Sequence, residues 1–523
     1  MRPLRHIRSA SHHPRCSRGR ATHRERGRRD ALAAAPHRSD RTFLDEPKEG
    51  HMGQIKGPDP FRLARAETPV WAARGILAVG VLAAATVVGQ PLGIGVVIAL
   101  LALGAIAGLV AVPAAIPHVD LRVAEPREPD RWTRAWWVLA AGLTLVPFLR
   151  AASWVVIPSL FMAAALASLA VSGGVRWGQL AAGLNLLWLR LPVGSMIAGW
   201  SAARGVSFRA AGPAARGAIL ATALLAVFVP LLMSADAAFA QLVEDVVPSD
   251  LSVEQPVVRL GVLALFVALG GGLLHARLWP VHVAARPARH ALGAVEARIA
   301  LGTLTALFAL FIAVQASTLF GGQRHVLDTA GLTYAEYARS GFAQLLAVAA
   351  LTFAVLGAAR RWAPGERLLP AALCVLTLVV CVSALRRLGL YEETYGFTRL
   401  RFCAHAALLY FAALFALMLV TRSPRALVAL TASTVLAFAL ADPDRRIATH
   451  NLDRYERTGR IDVGYLMTLG PDATPALAGV VPPPCLAEDG PAGFNLARAA
   501  ARRTSTDRRT GASTRCDPQR PTR

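Results

Sequence analysis

The sequence predicts an all-α fold, a polytopic transmembrane helical bundle of about 10 to 12 spans with short polar loops and disordered termini. The chain of 523 residues is 54% hydrophobic and only 17% charged, whereas soluble domains carry about 25% charged residues. The apolar residues are gathered into long runs, and in hydrocarbon a helix pairs all of its backbone polar groups within one segment. Alternating short segments, which would indicate a membrane barrel, are not evident in the sequence.

The net charge of +23 does not indicate a nucleic-acid-binding protein. Nearly all basic residues are arginines, and the excess lies largely in 1–51 and 502–523. Basic cytoplasmic loops are also a general property of membrane proteins. We therefore expect the lipid bilayer as a partner, together with a membrane-protein partner or a second copy of the chain. We expect no specific nucleic acid and no cofactor.

Composition divides the chain into four regions. Residues 1–73 are basic and are predicted to be largely disordered, with Met52 as a candidate true start. Residues 74–441 hold the apolar runs of the transmembrane domain, 442–480 form a polar motif segment, and 481–523 are predicted to be a disordered basic tail. The six cysteines show neither a disulfide framework nor the spacing of a metal site.

The apolar runs predict individual spans. They lie at 74–90, 92–112, 135–149, 153–171, 217–233, 258–275, 298–319, 343–359, 368–385, 403–420 and 425–441. The segment 179–200 is ambiguous, because Arg190 and Pro192 interrupt its Leu-rich sequence, and it could be interfacial, broken or spanning.

The arginine-rich loops predict the orientation of the bundle. The loops 276–298, 360–367 and 422–425 are basic and should face the cytoplasm of a bacterial cell, with the chain in its plasma membrane. If 179–200 does not span, the N-terminus lies inside, there are eleven spans and the tail lies outside. If it does span, the assignments after it reverse.

Four polar segments interrupt or follow the spans. They are MSADAAF at 233–239, LFGG at 319–322 with DTAGLTYAEYARSGF at 328–342, LGLYEETYGFTRLR at 388–401, and NLDRY at 451–455 with its continuation to 477. Together they resemble a bacterial multi-pass membrane family known as domain of unknown function 4173, a relative of the 4153 group. The resemblance implies the membrane architecture and brings no established activity.

The same segments supply the candidate polar site. We expect their Tyr, Glu, Asp and Arg side chains to meet at one face of the bundle, either as a ligand site or as a clamp that fixes loops against helix ends. His405 could pair with a facing carboxylate, and Asp236 could bind a cation or cap a helix. The candidates are Asp236, Asp328, Tyr334, Glu336, Tyr337, Arg339, Tyr391, Glu392, Arg399, Arg401, His405, Asp453, Arg454 and Tyr455.

Three functions are compatible with these features. The first is a membrane scaffold or a sensory or permease component with a polar site on one face. The second is a secondary transporter coupled to protons or ions, and the third is a membrane-embedded enzyme acting on lipid-linked substrates. The sequence contains no P-loop, no HExxH motif and no GxSxG elbow, which argues against the enzyme classes that use them.

Overall fold

The computed structural model describes residues 68–110, 130–204, 254–279, 293–320, 334–482, 486 and 488–509, with scattered positions between 213 and 242. Within α-helices, the side chains of 254–256, 316–320, 334–342 and 506–509 lie outside the described part. Every regular element in the described part is helical.

The first seven helices are α1 (Val70–Thr86), α2 (Ile94–Leu109), α3 (Arg131–Thr144), α4 (Val146–Leu149), α5 (Ser153–Ser172), α6 (Trp177–Ala202) and α7 (Glu254–Leu278). The next five are α8 (Ala294–Phe320), α9 (Tyr334–Trp362), α10 (Leu368–Tyr395), α11 (Arg399–Val420) and α12 (Pro424–Leu440). The polar C-terminal part forms α13 (Pro443–Thr458), α14 (Val463–Met467), α15 (Thr474–Leu477), a 3-10 turn (Pro491–Gly493) and α16 (Leu496–Arg509).

Seven of the described helices are long and apolar enough to cross a membrane, and an eighth span results if α12 and α13, bent by 56°, count as one. Two further apolar helices, α1 and α2, are shorter. These helices confirm the predicted all-α transmembrane class. The predicted span at 217–233 lies where only scattered positions are described.

The long helices pack in three groups. The first contains α1, α2, α6 and α7, where Gly194 and Gly271 let α6 and α7 approach so closely that a Cβ on either glycine would overlap the other backbone. The second contains α8 to α11, around a core that includes Leu373, Leu408 and Phe415. In the third, helices α3 and α5 pack against α12 through Trp136 and neighbouring apolar residues.

Several helix ends meet at one end of the bundle. Arg150, between α4 and α5, donates to the carbonyl oxygens of Ala439 and Leu440 at the end of α12. The turn at 396–398 between α10 and α11 lies against Asn451 of α13. Residues 442–482 cover these helix ends, and we call this covering segment the cap.

Arginines link helix ends at the opposite end of the bundle. Arg298 at the start of α8 binds Glu366 between α9 and α10, with 2.7 Å between Nε and Oε1. Arg425 at the start of α12 binds Asp130 before α3, with 2.9 Å between Nη1 and Oδ2. The structure therefore brings residues of the basic loops 360–367 and 422–425 to the end remote from the cap.

The structure narrows one open span assignment and corrects one predicted helix end. The segment 179–200 is neither broken nor interrupted, because α6 runs continuously through Pro192, and the Arg190 guanidinium lies beside the Trp279 carbonyl just past the end of α7. Helix α10 does not end near 385. It continues past the Arg386–Arg387 pair to Tyr395, and the added turns carry Tyr391 and Glu392 toward the cap.

The tail also differs from the sequence prediction. Part of the segment predicted to be disordered, 488–509, forms the 3-10 turn and α16. Buried Asn495 holds this part in place by donating to the carbonyl oxygens of Pro147 and Arg150, at 2.7 and 2.8 Å. Asp489 accepts hydrogen bonds from Arg498 and Arg502, so the basic residues of the tail have a local acidic partner.

Candidate functional site

A charged pair forms the centre of the cap. Arg399, the first residue of α11, donates from Nε and Nη2 to the two carboxylate oxygens of Asp444 at 2.9 and 2.6 Å. Asp444 is fully buried in the first turn of α13, and its Oδ2 also accepts from the Gly470 amide. The Arg399 amide donates to the Tyr465 hydroxyl at 2.7 Å. A buried ion pair with this many hydrogen bonds fixes the position of α13 on the bundle.

Arg401 closes the end of α10. Its Nη1 donates to the Tyr395 and Gly396 carbonyls, and its Nη2 donates to the Tyr391 hydroxyl at 3.1 Å. The guanidinium carbon lies 4.2 Å from the centre of the Tyr391 ring, a cation–π arrangement. The predicted residues Tyr391 and Arg401 therefore meet, and their contacts are those of a helix C-terminal cap.

Helix α13 forms hydrogen bonds with the backbone of the turn between α10 and α11 and of the last turn of α10. Asn451 accepts from the Phe397 amide and donates to the Phe397 carbonyl, at 3.0 and 2.9 Å. Arg454 donates to the Glu393 and Thr394 carbonyls at 3.0 and 2.6 Å. These backbone contacts explain why the NLDRY segment and the LGLYEETYGFTRLR segment lie together.

A carboxylate and an imidazole pair just below the cap. Glu392 on α10 is 3% exposed, and its Oε2 lies 3.5 Å from Nδ1 of His405 on α11. The second oxygen, Oε1, has no hydrogen-bond partner within the described part of the chain. The sequence prediction that His405 could face a carboxylate agrees with this geometry.

Three polar residues where the cap meets the bundle were not among the predicted site residues. Arg150 binds Asp442 with 2.6 Å between Nη1 and Oδ2, and Asp472 accepts from the Ala151 and Ala152 amides at the N-terminus of α5. Burial, reinforced by the neighbouring Asp442 carboxylate, raises the pKa of Asp472 to about 6. The contacts join positions about 300 residues apart, so local spacing could not reveal them.

Other predicted site residues lie elsewhere or outside the described part. Asp236 is exposed and accepts from the Phe239 amide at 2.8 Å, which is the geometry of a helix-capping aspartate. Asp453 and Tyr455 are exposed on α13. The position of Asp328 and the side chains of the other four candidates are outside the described part: Tyr334, Glu336, Tyr337 and Arg339.

A cavity opens beside the bend between α12 and α13. Its volume is about 390 Å³, and its polar lining residues are Arg150, Asp442, Arg445, Arg446, Thr449 and His450. A smaller neighbouring cavity of about 200 Å³ shares the first three of these residues and extends to Asp472 and α16. We call the larger one the Arg445 cavity.

The Arg445 cavity has surplus positive charge. Arg150 is neutralised by Asp442, but Arg445 forms no hydrogen bond or ion pair through its side chain in the described part. Arg446 uses only its Nε, which donates to the Ala441 carbonyl at 2.7 Å. Groups of three or more His, Cys, Asp or Glu side chains that could hold a metal ion are absent among the described residues. The cavity therefore suits an anion better than a metal ion.

A bundle of long apolar helices, joined at one end by a polar cap, defines a multi-pass α-helical integral membrane protein. The family model described as Domain of unknown function (DUF4153) matches residues 137–480, well over half of the chain, and the protein belongs to that family. The narrower resemblance to domain 4173 is not confirmed by this match. No curated protein and no solved structure matches the chain significantly.

Proposed function

We propose that the protein is a membrane scaffold or a sensory or permease component that binds an anionic ligand in the Arg445 cavity of its cap. The observation that carries this proposal is the pair of first-turn arginines, Arg445 and Arg446, which line a cavity and have most of their donors unused. The proposal places the chain in a bacterial plasma membrane, which fractionation of the native cells would test.

The position of these arginines supports a ligand role over simple solvation. Both lie in the first turn of α13, where the helix dipole disfavours positive charge by roughly 0.3–1 kcal/mol per residue. They therefore do not serve the stability of the helix. A guanidinium presents several donors in a planar fork that matches the oxygens of a carboxylate or a phosphate.

Anion binding to the purified full chain tests the proposal. The midpoint of thermal unfolding is measured in an uncharged detergent with phosphate, sulfate or glycerol 3-phosphate, against chloride at equal ionic strength. A ligand at about 100 times its Kd stabilises the folded state by about 2.7 kcal/mol. Wild type and R457Q, which changes an exposed arginine of the same helix outside the cavity, should be stabilised, and R445Q/R446Q should not.

Two results would contradict the proposal. One is equal stabilisation of all three proteins by the soluble anions. The other is a lack of any effect of Arg445 and Arg446 on the binding of every anion tested, membrane lipids included. R445Q alone serves as a second variant, because the Arg445 side chain forms no hydrogen bond or ion pair in the described part, and only its electrostatic attraction to the Asp442 carboxylate would be lost.

The Glu392–His405 pair favours a second candidate, a proton-coupled transporter. A nearly buried carboxylate with one oxygen unpaired in the described part is costly when charged, and ionisable residues inside membranes often serve proton transfer. Protein reconstituted in vesicles with an internal pH dye would test this role. Proton uptake that is lost in E392Q and H405N would support it, and equal uptake in empty vesicles would exclude it.

The third candidate, an enzyme acting on lipid-linked substrates, gains no comparable support. Such an enzyme would need carboxylates and arginines that converge near one leaflet. In the structure Glu392 faces His405, and Arg399 donates to Asp444 from Nε and Nη2.

A further inference from the structure

We infer that the anion bound in the Arg445 cavity is the phosphate of an anionic membrane-lipid headgroup. This inference rests on the proposed function and names the ligand class of the same site. It depends on where the cavity lies along the bundle, on how its wall is built, and on the charge around it.

The cavity lies where the apolar surface of the bundle ends. Helix α12 is apolar up to Leu440, and α13 turns away by 56° with a polar, charged sequence. Leu440 itself lines the cavity and is 51% exposed. One wall of the cavity is therefore continuous with the surface that acyl chains contact, and its other walls are polar.

Neighbouring residues mark the same level. Leu400, at the start of α11, is largely exposed beside the buried Arg399 pair. Tyr395 and Tyr455 are also exposed on the turn and on α13. Tyrosines and exposed apolar side chains next to arginines are typical of the headgroup region of a bilayer.

The size and charge of the cavity fit a headgroup rather than a whole lipid. A volume of about 390 Å³ accommodates a phosphate with its glycerol, while the acyl chains would run along the exposed face of α12 beyond Leu440. Arg445 and Arg446 would bind the phosphate oxygens, and Thr449 and His450 lie on the same wall. Arginines next to the end of a membrane helix attract anionic lipids.

The experiment measures lipid binding to the purified full chain in uncharged detergent. The probes are phosphatidylglycerol, phosphatidylcholine, glycerol 3-phosphate and inorganic phosphate, and the readouts are bound lipid per protein and the midpoint of thermal unfolding. Phosphatidylglycerol should bind wild type and R457Q with equal affinity. Its affinity for R445Q/R446Q should be about tenfold or more lower, and its affinity for R445Q should be intermediate. Phosphatidylcholine and the soluble phosphates should have much smaller effects.

The arms of the experiment separate the possible failures. In one outcome, glycerol 3-phosphate or inorganic phosphate stabilises the protein as strongly as phosphatidylglycerol, and the effect depends on Arg445 and Arg446. The site then binds a free phosphate, so the lipid inference fails while the proposed function stands. If phosphatidylglycerol affects all variants equally, the lipid acts elsewhere and the inference is overturned. If no anion depends on the two arginines, the proposed function fails as well.

Discussion

Arg399 and Asp444 form a partly buried ion pair between the first turn of α11 and the first turn of α13, with 2.9 Å and 2.6 Å between their paired atoms. The pair joins the membrane bundle to the cap. Asp444 is fully buried and accepts a further hydrogen bond from the Gly470 amide. The Arg399 guanidinium therefore compensates the cost of burying the Asp444 carboxylate.

Removing one member of this pair should destabilise the protein strongly. R399M leaves the fully buried Asp444 carboxylate without its partner and should cost about 3–5 kcal/mol in the free energy of unfolding. D444N leaves Arg399, whose side chain is 35% exposed and partly solvated, and should cost about 1–3 kcal/mol. The midpoint of unfolding in detergent measures the effect. R298Q, which breaks the exposed pair with Glu366, should cost at most about 1 kcal/mol. A loss in R298Q as large as that in R399M would contradict the assignment.

Gly396 should resist substitution for two reasons. Its φ of 77° favours glycine, and a Cβ there would lie 2.5 Å from Oδ1 of Asn451. Gly459 lies in the ordinary left-handed region, with φ 69° and ψ 4°, and has open space around it. G459A should therefore cost about 1–2 kcal/mol. Gly396 combines its φ with a ψ of 177°, a conformation nearly restricted to glycine, so G396A should lose about 1–3 kcal/mol more through its backbone and the Asn451 contact together. Equal unfolding midpoints for the two variants would contradict this expectation.

Asp472 should make stability depend on pH. Its folded-state pKa of about 6 lies above the ordinary value of 3.8, so the folded protein binds the proton more tightly than the unfolded chain. The free energy of unfolding should therefore fall as pH rises from about 4 to about 6, by roughly 3 kcal/mol, and remain lower above that range. D472N should lose this part of the pH profile, while D453N, at an exposed position, should keep it. An unchanged profile in D472N would refute the prediction.

The tail helix should be released when Asn495 is replaced. Asn495 holds the start of α16 through two donated hydrogen bonds to Pro147 and Arg150, and accepts one from the Arg498 amide. N495A should let trypsin cut α16 at its arginines at least several times faster than in wild type. R503K, which changes an exposed side chain of the same helix and keeps a trypsin site there, should not. Equal rates of cleavage for N495A and wild type would contradict this role.

The helical class of the protein was predictable because long apolar runs have few other solutions in a membrane. Helix ends were less predictable. The Arg386–Arg387 pair indicated an end of α10 near 385, but the cap lets the helix continue to Gly396. The tail was predicted to be disordered from its composition, and the hydrogen bonds of Asn495 that hold it reach nearly 350 residues back along the chain.

The sequence indicated some of the residues that join the cap to the bundle and missed others. Arg399, Arg401 and Arg454 stood out in polar segments between apolar runs. Asp444 was missed, although the Asp-Pro-Asp sequence at 442–444, directly after a span, is a helix-start signal that could have drawn attention to it. Arg445 and Arg446 could be identified as candidate ligand residues only from the cavity. In the sequence, two adjacent arginines in a polar segment look like ordinary solvated surface residues.

Cysteine accessibility tests most directly whether the cap is one assembly at one end of the bundle. A variant without its six native cysteines would carry a single cysteine at Thr394, Thr458 or Gly365, all exposed positions, and would be treated with a membrane-impermeant thiol reagent before and after lysis. Because the cap lies at one end of the bundle and Gly365 near the other, Thr394 and Thr458 should label under the same condition, both in intact cells or both only after lysis. Gly365 should label under the opposite condition. A different behaviour of Thr394 and Thr458, or labelling of Gly365 together with them, would contradict the single cap.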